Sequence, residues 1–287
     1  MKQLLKVILS ALALYLVFSK ISFSEVVNVY SNANWSYIFL AVLFFVGSKL
    51  IAAIRLNSFF SAINVVMSQL NNIKLYMLGM FYNIFVPGGI GGDGYKVYFI
   101  KKHFDAKIKK SIAAVVLDRV IGLLVLVFIA IVLFGFIDEQ YFPGPQWLII
   151  LLLIPLYFTV RWILQRFFPE FGSIFHRATG LSFLVQFLQL ICAFFILKAI
   201  HQHESIYFYL FVFLISSLAA AIPFTIGGAG ARELTFLYAS QIFPINVHVA
   251  IALSLTFYLI TLLVSLSGVY YVFSPQSIYP ALFKKKE

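Results

Sequence analysis

Long apolar stretches separated by short polar segments dominate the chain. A helix needs about 20 predominantly apolar residues to cross a hydrocarbon core of about 30 Å. Six stretches meet this requirement without interruption, at roughly 4–23, 35–54, 112–134, 146–164, 181–200 and 247–273. The pattern therefore predicts an all-α polytopic membrane protein with about six full spans. Because no small-residue cleavage site precedes Lys20, we interpret the first stretch as a retained helix rather than a signal peptide.

Two further apolar regions, 73–95 and 206–242, are interrupted by proline and glycine. Short cytoplasmic loops carry an excess of lysine and arginine, and the densest basic segment here is 96–110. With a cytoplasmic N-terminus, this segment and the basic tail 276–287 are cytoplasmic only if each interrupted region returns to the side from which it enters. We therefore expect two re-entrant broken-helix elements. The alternative makes 206–224 a full span and gives eight transmembrane helices.

The segment after the second predicted span allows two interpretations. Arg55 directly follows that span and counts among the cytoplasmic basic residues. Residues 57–70 carry apolar side chains on one helical stripe, which is typical of a helix lying in the membrane interface. The same spacing fits a cytoplasmic extension of the second span, so both alternatives stay open.

The two interrupted regions share a sequence pattern. Residues 87–96 read PGGIGGDGYK and residues 223–232 read PFTIGGAGAR, with like residues at six of the ten positions. Each region follows two predicted spans and precedes one, so the second copy is expected to be inverted, in halves of approximately 1–136 and 145–275. Inverted repeats with broken helices at corresponding positions indicate a transporter binding site.

A broken helix has a specific use inside a membrane. The half-helix after the break begins with unpaired N–H groups and the positive end of its dipole, which suits an anionic group such as a lipid phosphate. Lys96 and Arg232 lie in the first turns after the two breaks. The alternative is that the glycines only permit tight helix packing.

Several charged residues lie within or beside the apolar segments. A charge near the centre of a membrane helix costs about 2.5–3.5 kcal/mol on insertion scales, so such residues require partners or water. Six of them are candidates for one polar cluster at the repeat interface: Asp93, Lys96, Asp118, Arg119, Arg232 and Glu233.

Our hypothesis is that Lys96, Arg119 and Arg232 hold an anionic headgroup. The carboxylates then orient these cations, or carry protons if transport is coupled to a proton gradient. The alternative is a structural pair, Asp118–Arg232 or Asp93–Arg119, that only locks the helices together.

Composition excludes a soluble enzyme. The chain is 62% apolar and 11% charged with a mean hydropathy of +0.99, whereas soluble domains are about 45–50% apolar and about 25% charged. Of the charges that give a net +11, most lysines and arginines mark the cytoplasmic face. Cys192 is the single cysteine, so an intramolecular disulfide and a cysteine metal cluster are impossible.

Three apparent motifs do not fit their usual chemistry. GIGGDG at 89–94 matches a dinucleotide-binding pattern but has no strand–turn–helix context, so we expect no cofactor. His201 and His203 lack further ligands, and we expect no metal site. The basic run 101–110 adjoins the membrane, where anionic lipid headgroups are its expected partners rather than nucleic acid.

Three motifs together resemble the flippase-like family related to the membrane region of lysylphosphatidylglycerol synthase. They are Asn83 with 87–96, the pair Asp118–Arg119 after a basic loop, and the second glycine turn, which ends in Arg232–Glu233. The resemblance covers essentially the whole chain. It implies an inner-membrane protein that moves an anionic phospholipid or a lipid-linked intermediate between leaflets, with both termini expected in the cytoplasm.

No catalytic residue is expected, and the candidate substrate-binding residues follow from the motifs. They are Asn83, Gly91, Gly92, Asp93, Lys96, Asp118, Arg119, Gly227, Gly228, Arg232 and Glu233. The second turn departs from the family pattern P-G-G-x-G-x-x-E, because PFTIGGAGARE has a different spacing at its start.

We expect a transporter rather than an enzyme. Lysyl transfer by the full synthase belongs to a separate cytosolic domain, and only Lys284–Glu287 follow the last apolar segment here. Two alternatives remain: a membrane-embedded transferase acting on a lipid phosphate, with Asp93 or Glu233 as general base, and an accessory subunit of a lipid or envelope biosynthesis complex.

Overall fold

The computed structural model describes residues 23–85, 91–104, 106–221 and 230–279, and all regular secondary structure in these ranges is helical. The α-helices are α1 (Phe23–Asn28), α2 (Trp35–Ala62), α3 (Gln69–Phe85), α4 (Gly91–His103), α5 (Ile108–Phe134), α6 (Leu153–Phe167), α7 (Phe175–Ala199), α8 (Ile206–Ala221), α9 (Ala231–Ala239), α10 (Val247–Ser265) and α11 (Val269–Phe273). Short 3₁₀ segments lie at Gln146–Leu152, Pro169–Ile174, Leu266–Gly268 and Pro275–Ser277.

Five helices in the described ranges are long and apolar enough to cross a membrane. They are Trp35–Ala62, Ile108–Phe134, Gln146–Phe167, Pro169–Ala199 and Val247–Phe273, in which 3₁₀ segments join α-helices. These helices confirm the all-α fold class in the described ranges and coincide with five of the six predicted spans, whereas the number of spans stays a prediction. The remaining predicted span, 4–23, lies outside the described residues except for its last position.

Helix α2 is longer than its apolar core. It is capped by Asn34, whose side chain accepts a hydrogen bond from the Ser36 backbone N–H (3.0 Å), and it continues through Arg55 to Ala62. The chain then turns over 63–68 before α3 begins. A separate interfacial helix over 57–70 is therefore wrong, and the extension of the second span is correct for 57–62, whereas its cytoplasmic location stays a prediction. Arg55 lies within this helix and is buried inside the bundle.

Each interrupted region contains two helices that pack against each other. The first pair is α3 and α4, which flank residues 86–90, and the second is α8 and α9, which flank residues 222–229. Helix α8 has 16 residues, or about 24 Å at 1.5 Å per residue, which is shorter than the hydrocarbon core. Re-entrant geometry and a full span over 206–224 both stay predictions.

Three clusters of buried apolar side chains lie in the described ranges, and two of them are large. One lies between α2, α7, α8 and α10 and includes Phe45, Phe213 and Phe257. The other surrounds the C-terminal part of α2, where Phe59 packs with side chains of α3, α4 and α5 such as Phe99. The cores thus meet along α2, the helix that carries Lys49 and Arg55.

The packing of the eight central helices has a regular arrangement. Within the first half, α2 packs on α3, α3 on α4, α4 on α5 and α5 on α2. Within the second half, α7 packs on α8, α8 on α9, α9 on α10 and α10 on α7. Between the halves, α2 and α7 form the most extensive contact, supplemented by α5 on α7, α10 on α2, α5 on α8 and α10 on α3.

Candidate functional site

Asp93 is the centre of a polar group at the start of α4. Its Oδ1 accepts a hydrogen bond from Lys96 Nζ at 3.1 Å, and its Oδ2 pairs with Arg119 Nε of α5. Both carboxylate oxygens are thus occupied by cations. The side chains of Asp93 and Lys96 are 14% and 7% exposed, whereas that of Arg119 is 39% exposed. Arg119 is therefore the cation of this group that a ligand reaches first.

The backbone around Asp93 is fixed by side chains of α3. Asn83 Oδ1 accepts a hydrogen bond from the Gly92 backbone N–H at 2.9 Å, which satisfies one of the unpaired donors at the start of α4. Lys96 Nζ lies 4.8 Å from the centroid of the Tyr76 ring. A Cβ atom at Gly79 would lie 2.5 Å from Lys96 Cε, so Gly79 leaves the space that the lysine occupies.

Asp118 belongs to a second, buried group. Arg55 Nε donates to its Oδ1 at 2.8 Å and an Arg55 terminal nitrogen donates to its Oδ2 at 3.1 Å. The other terminal nitrogen donates to Ser182 Oγ at 2.7 Å, so the guanidinium group joins α2, α5 and α7. Arg55 and Asp118 are each 6% exposed. The suggested Asp118–Arg232 pair is therefore wrong, whereas the suggested Asp93–Arg119 pair is present.

Arg232 lies at the start of α9 and has hydroxyl and aromatic partners. One terminal nitrogen donates to Ser217 Oγ at 3.0 Å and approaches Ser216 Oγ at 3.5 Å. The guanidinium carbon lies 4.9 Å from the ring centroid of Phe257 and 5.5 Å from that of Phe213. Within the described ranges, no carboxylate forms a salt bridge with Arg232.

Glu233 stabilises the start of α9. Its Oε2 accepts a hydrogen bond from the Gly230 backbone N–H and its Oε1 accepts one from Ser254 Oγ of α10, both at 2.7 Å. Gly230 has a φ of +87°, a conformation that non-glycine residues rarely adopt. Because Glu233 is 2% exposed and both oxygens accept hydrogen bonds, it acts as a helix cap that ties α9 to α10.

Replacing Glu233 with alanine is expected to lower the free energy of unfolding by about 2 kcal/mol, because two buried donors lose their acceptor. Thermal unfolding of the purified protein in detergent measures this loss. Glu233→Gln keeps one acceptor oxygen and is expected to lose less. A Glu233→Gln variant that is as stable as the wild type but functionally dead would contradict a capping role and favour a general base.

The predicted site residues thus form three contact groups in the described ranges rather than one network. Asp93 gathers Lys96 and Arg119; Asp118 pairs with Arg55; Arg232 and Glu233 contact side chains of α8 and α10. Gly91 and Gly92 form the first turn of α4. Gly227 and Gly228 lie outside the described residues.

The sequence did not reveal every residue that contacts the candidate site. Arg55 was counted only among the cytoplasmic basic residues and was not proposed as the partner of Asp118. The hydroxyl partners, Ser182 on α7 and Ser217 on α8, carry a usable signal, since polar side chains inside membrane helices commonly form hydrogen bonds between helices. Which helix supplies the partner depends on packing.

The chemistry that these groups offer is anion binding. Arg119 and Arg232 present guanidinium groups, the donors best suited to phosphate oxygens. Asp93 is occupied by two cations and Glu233 by two hydrogen bonds, so neither has a carboxylate oxygen without a partner to act as a base. In the part of the chain that the structure describes, no group of three histidine, cysteine or acidic residues has metal-binding geometry.

Comparison with known proteins gives a family match over almost the whole chain. A family model described as the lysylphosphatidylglycerol synthase TM region matches residues 3–268. A UPF0104 membrane protein of Pyrococcus horikoshii is 29% identical over 126 residues, which are 43% of this chain and 38% of that protein. A UPF0104 membrane protein of Methanocaldococcus jannaschii is 28% identical over 207 residues, 63% of this chain and 88% of that protein. The match confirms the resemblance carried by the three motifs.

Proposed function

Since the chain belongs to the family of the lysylphosphatidylglycerol synthase TM region, we propose that it is a flippase-like transporter of lipids. Its substrate is an anionic phospholipid or lipid-linked intermediate, which it moves between the leaflets of the inner membrane. The membrane location of the fold rests on five long apolar helices. The transport role rests on the relation between the two halves of the bundle.

The observation that carries this proposal is the symmetry of the helix contacts. Exchanging α2 with α7, α3 with α8, α4 with α9 and α5 with α10 converts every contact among these helices into another contact of the same set. The α2–α7 contact is converted into itself, as expected for helices on both sides of a two-fold axis. This pattern supports an internal repeat whose halves pack around α2 and α7.

The helix positions along the chain support the same repeat. The two glycine-rich motifs are 136 residues apart, as Ile90 and Ile226 illustrate. Shifted by this distance, α3 covers 205–221, and α8 is Ile206–Ala221. Shifted likewise, α2 covers 171–198, and α7 with its preceding 3₁₀ segment is Pro169–Ala199.

The cations that end the two glycine-rich motifs both contact an aromatic ring of the preceding helix. Lys96 stacks on Tyr76 of the helix before its break, and Arg232 stacks on Phe213 of the helix before the other. Alternating access requires two equivalent gates, one for each face, and an inverted repeat supplies them. A transferase or an accessory subunit has no such requirement, and the occupied oxygens of Asp93 and Glu233 further favour transport.

Leaflet exchange in reconstituted vesicles tests the proposal. The protein is inserted into phosphatidylcholine vesicles that contain headgroup-labelled fluorescent phosphatidylglycerol, and dithionite quenching reports the fraction of label in the outer leaflet. We expect exchange above that of protein-free vesicles. A covalent change of the lipid headgroup, detected by mass spectrometry, would instead indicate the transferase alternative.

Arg119→Gln is expected to reduce the rate of exchange by about tenfold or more, because the exposed guanidinium group loses its charged hydrogen bonds to phosphate. The matched control is Arg166→Gln, which removes an exposed arginine of α6 far from the breaks in sequence and is expected to exchange at the wild-type rate. Exchange retained in Arg119→Gln at normal protein abundance would exclude Arg119 from the site.

A further inference from the structure

Lys49 is an isolated cation near the midpoint of α2. Its ammonium nitrogen lies 4.5 Å from the centroid of the Phe45 ring, and in the described part of the chain no carboxylate forms an ion pair with it. Charged side chains at this depth are costly and usually mark a path for ions or substrate. Stacking on one phenylalanine recovers only a small part of that cost.

Arg232 lies on the same aromatic cluster as Lys49. The rings of Phe45 and Phe257 are in edge contact with centroids 5.4 Å apart, and Arg232 stacks on Phe257 at 4.9 Å. Lys49 and Arg232 therefore each lie over one ring of the Phe45–Phe257 pair.

Lys49 and Arg232 are two cations without an ion-paired carboxylate in the described ranges. Asp118 pairs with Arg55, and Asp93 is shared by Lys96 and Arg119. Glu233 follows Arg232 in the chain, but its oxygens accept hydrogen bonds from Gly230 and Ser254.

We propose that Lys49 and Arg232 together bind a phosphate group that carries two negative charges. A phosphomonoester has a charge of about −1.5 to −2 at neutral pH, which matches these two cations, whereas a phosphodiester carries one negative charge. Ser216 and Ser217 accept hydrogen bonds from Arg232 and donate their own to the Phe213 carbonyl, so they hold the guanidinium group in place. The proposal rests on the proposed function and narrows its substrate to lipids that end in a doubly charged phosphate.

Ligand-dependent stabilisation of the full chain tests the site without measuring transport. A ligand that binds the folded state raises the unfolding temperature by an amount that grows with the logarithm of its concentration divided by its Kd. Purified protein in detergent is titrated with short-chain phosphatidic acid, short-chain phosphatidylglycerol or inorganic phosphate. We expect phosphatidic acid to bind about tenfold more tightly than phosphatidylglycerol. Inorganic phosphate that matches phosphatidic acid would show that the site takes free phosphate rather than lipid.

Variants of Lys49 test whether this residue causes the preference for phosphatidic acid over phosphatidylglycerol. Lys49→Gln is expected to weaken phosphatidic acid binding by about tenfold and to bind both lipids alike, whereas Lys49→Arg keeps the preference. The matched control is Lys198→Gln, because Lys198 also stacks on a phenylalanine, Phe194, at 5.6 Å. Equal binding of both lipids by the wild type overturns the proposal even if Lys49→Gln does not fold.

Different outcomes overturn the phosphate site and the transport function. Retention of the phosphatidic acid preference in folded Lys49→Gln would exclude Lys49 from the site while leaving leaflet exchange possible. Conversely, a preference that depends on Lys49 in a protein without leaflet exchange would support the phosphate site and overturn the transport function.

Discussion

Replacing Asp118 with alanine is expected to destabilise the protein by about 3–5 kcal/mol, since removal of one partner leaves a buried charge without compensation. Arg55 makes three hydrogen bonds, two of them to Asp118, and is 6% exposed. Without the carboxylate, the guanidinium group stays among apolar side chains of α2, α5 and α7. Thermal unfolding in detergent and the amount of protein in the membrane both report the loss.

The double variant Arg55→Met with Asp118→Leu tests whether the loss of stability comes from the uncompensated charge of Arg55. Replacing both charges by apolar side chains removes the uncompensated charge, so most of the lost stability is expected to return. The matched control is Glu170→Gln, which breaks the exposed 3.3 Å pair with Lys110 and is expected to change stability by less than about 1 kcal/mol. An Asp118→Ala variant as stable as this control would show that the buried pair is not formed.

Replacing Gly92 with alanine is expected to destabilise the protein by about 3 kcal/mol, at the upper end of what an extra methyl group costs in a tightly packed site. A Cβ atom at Gly92 would overlap the backbone carbonyl group of Gly79, so α3 and α4 must separate. Separation also breaks the hydrogen bond between Asn83 and the Gly92 backbone. We expect lower thermal stability together with a loss of leaflet exchange.

Gly94→Ala is the matched control for this close approach. Gly94 lies two residues further along the same helix, and a Cβ atom there meets no atom within 4 Å. Because alanine favours a helix over glycine by about 1 kcal/mol, this variant is expected to be as stable as the wild type or slightly more stable. Equal destabilisation by the two substitutions would contradict the contact between Gly79 and Gly92.

The sequence predicted most of the helices but few of their partners. Five apolar stretches of the required length became five long helices. Each of the two regions that contain proline and glycine includes a pair of packed helices. The charged residues near the breaks were also identified, and Asp93 does join Lys96 and Arg119. The partner of Asp118 was not identified, because Arg55 lies 63 residues away in the chain and just beyond the apolar core of its helix.

Local composition alone determined where the described helices form. The length of an apolar stretch and the position of proline and glycine act through the neighbouring residues, so the long helices and the helix starts at Gly91 and Ala231 are legible in the chain. The tertiary structure decided which charges neutralise one another. That outcome depends on how each helix is rotated and which helix lies opposite, and it left Lys49 and Arg232 without a carboxylate in the described ranges.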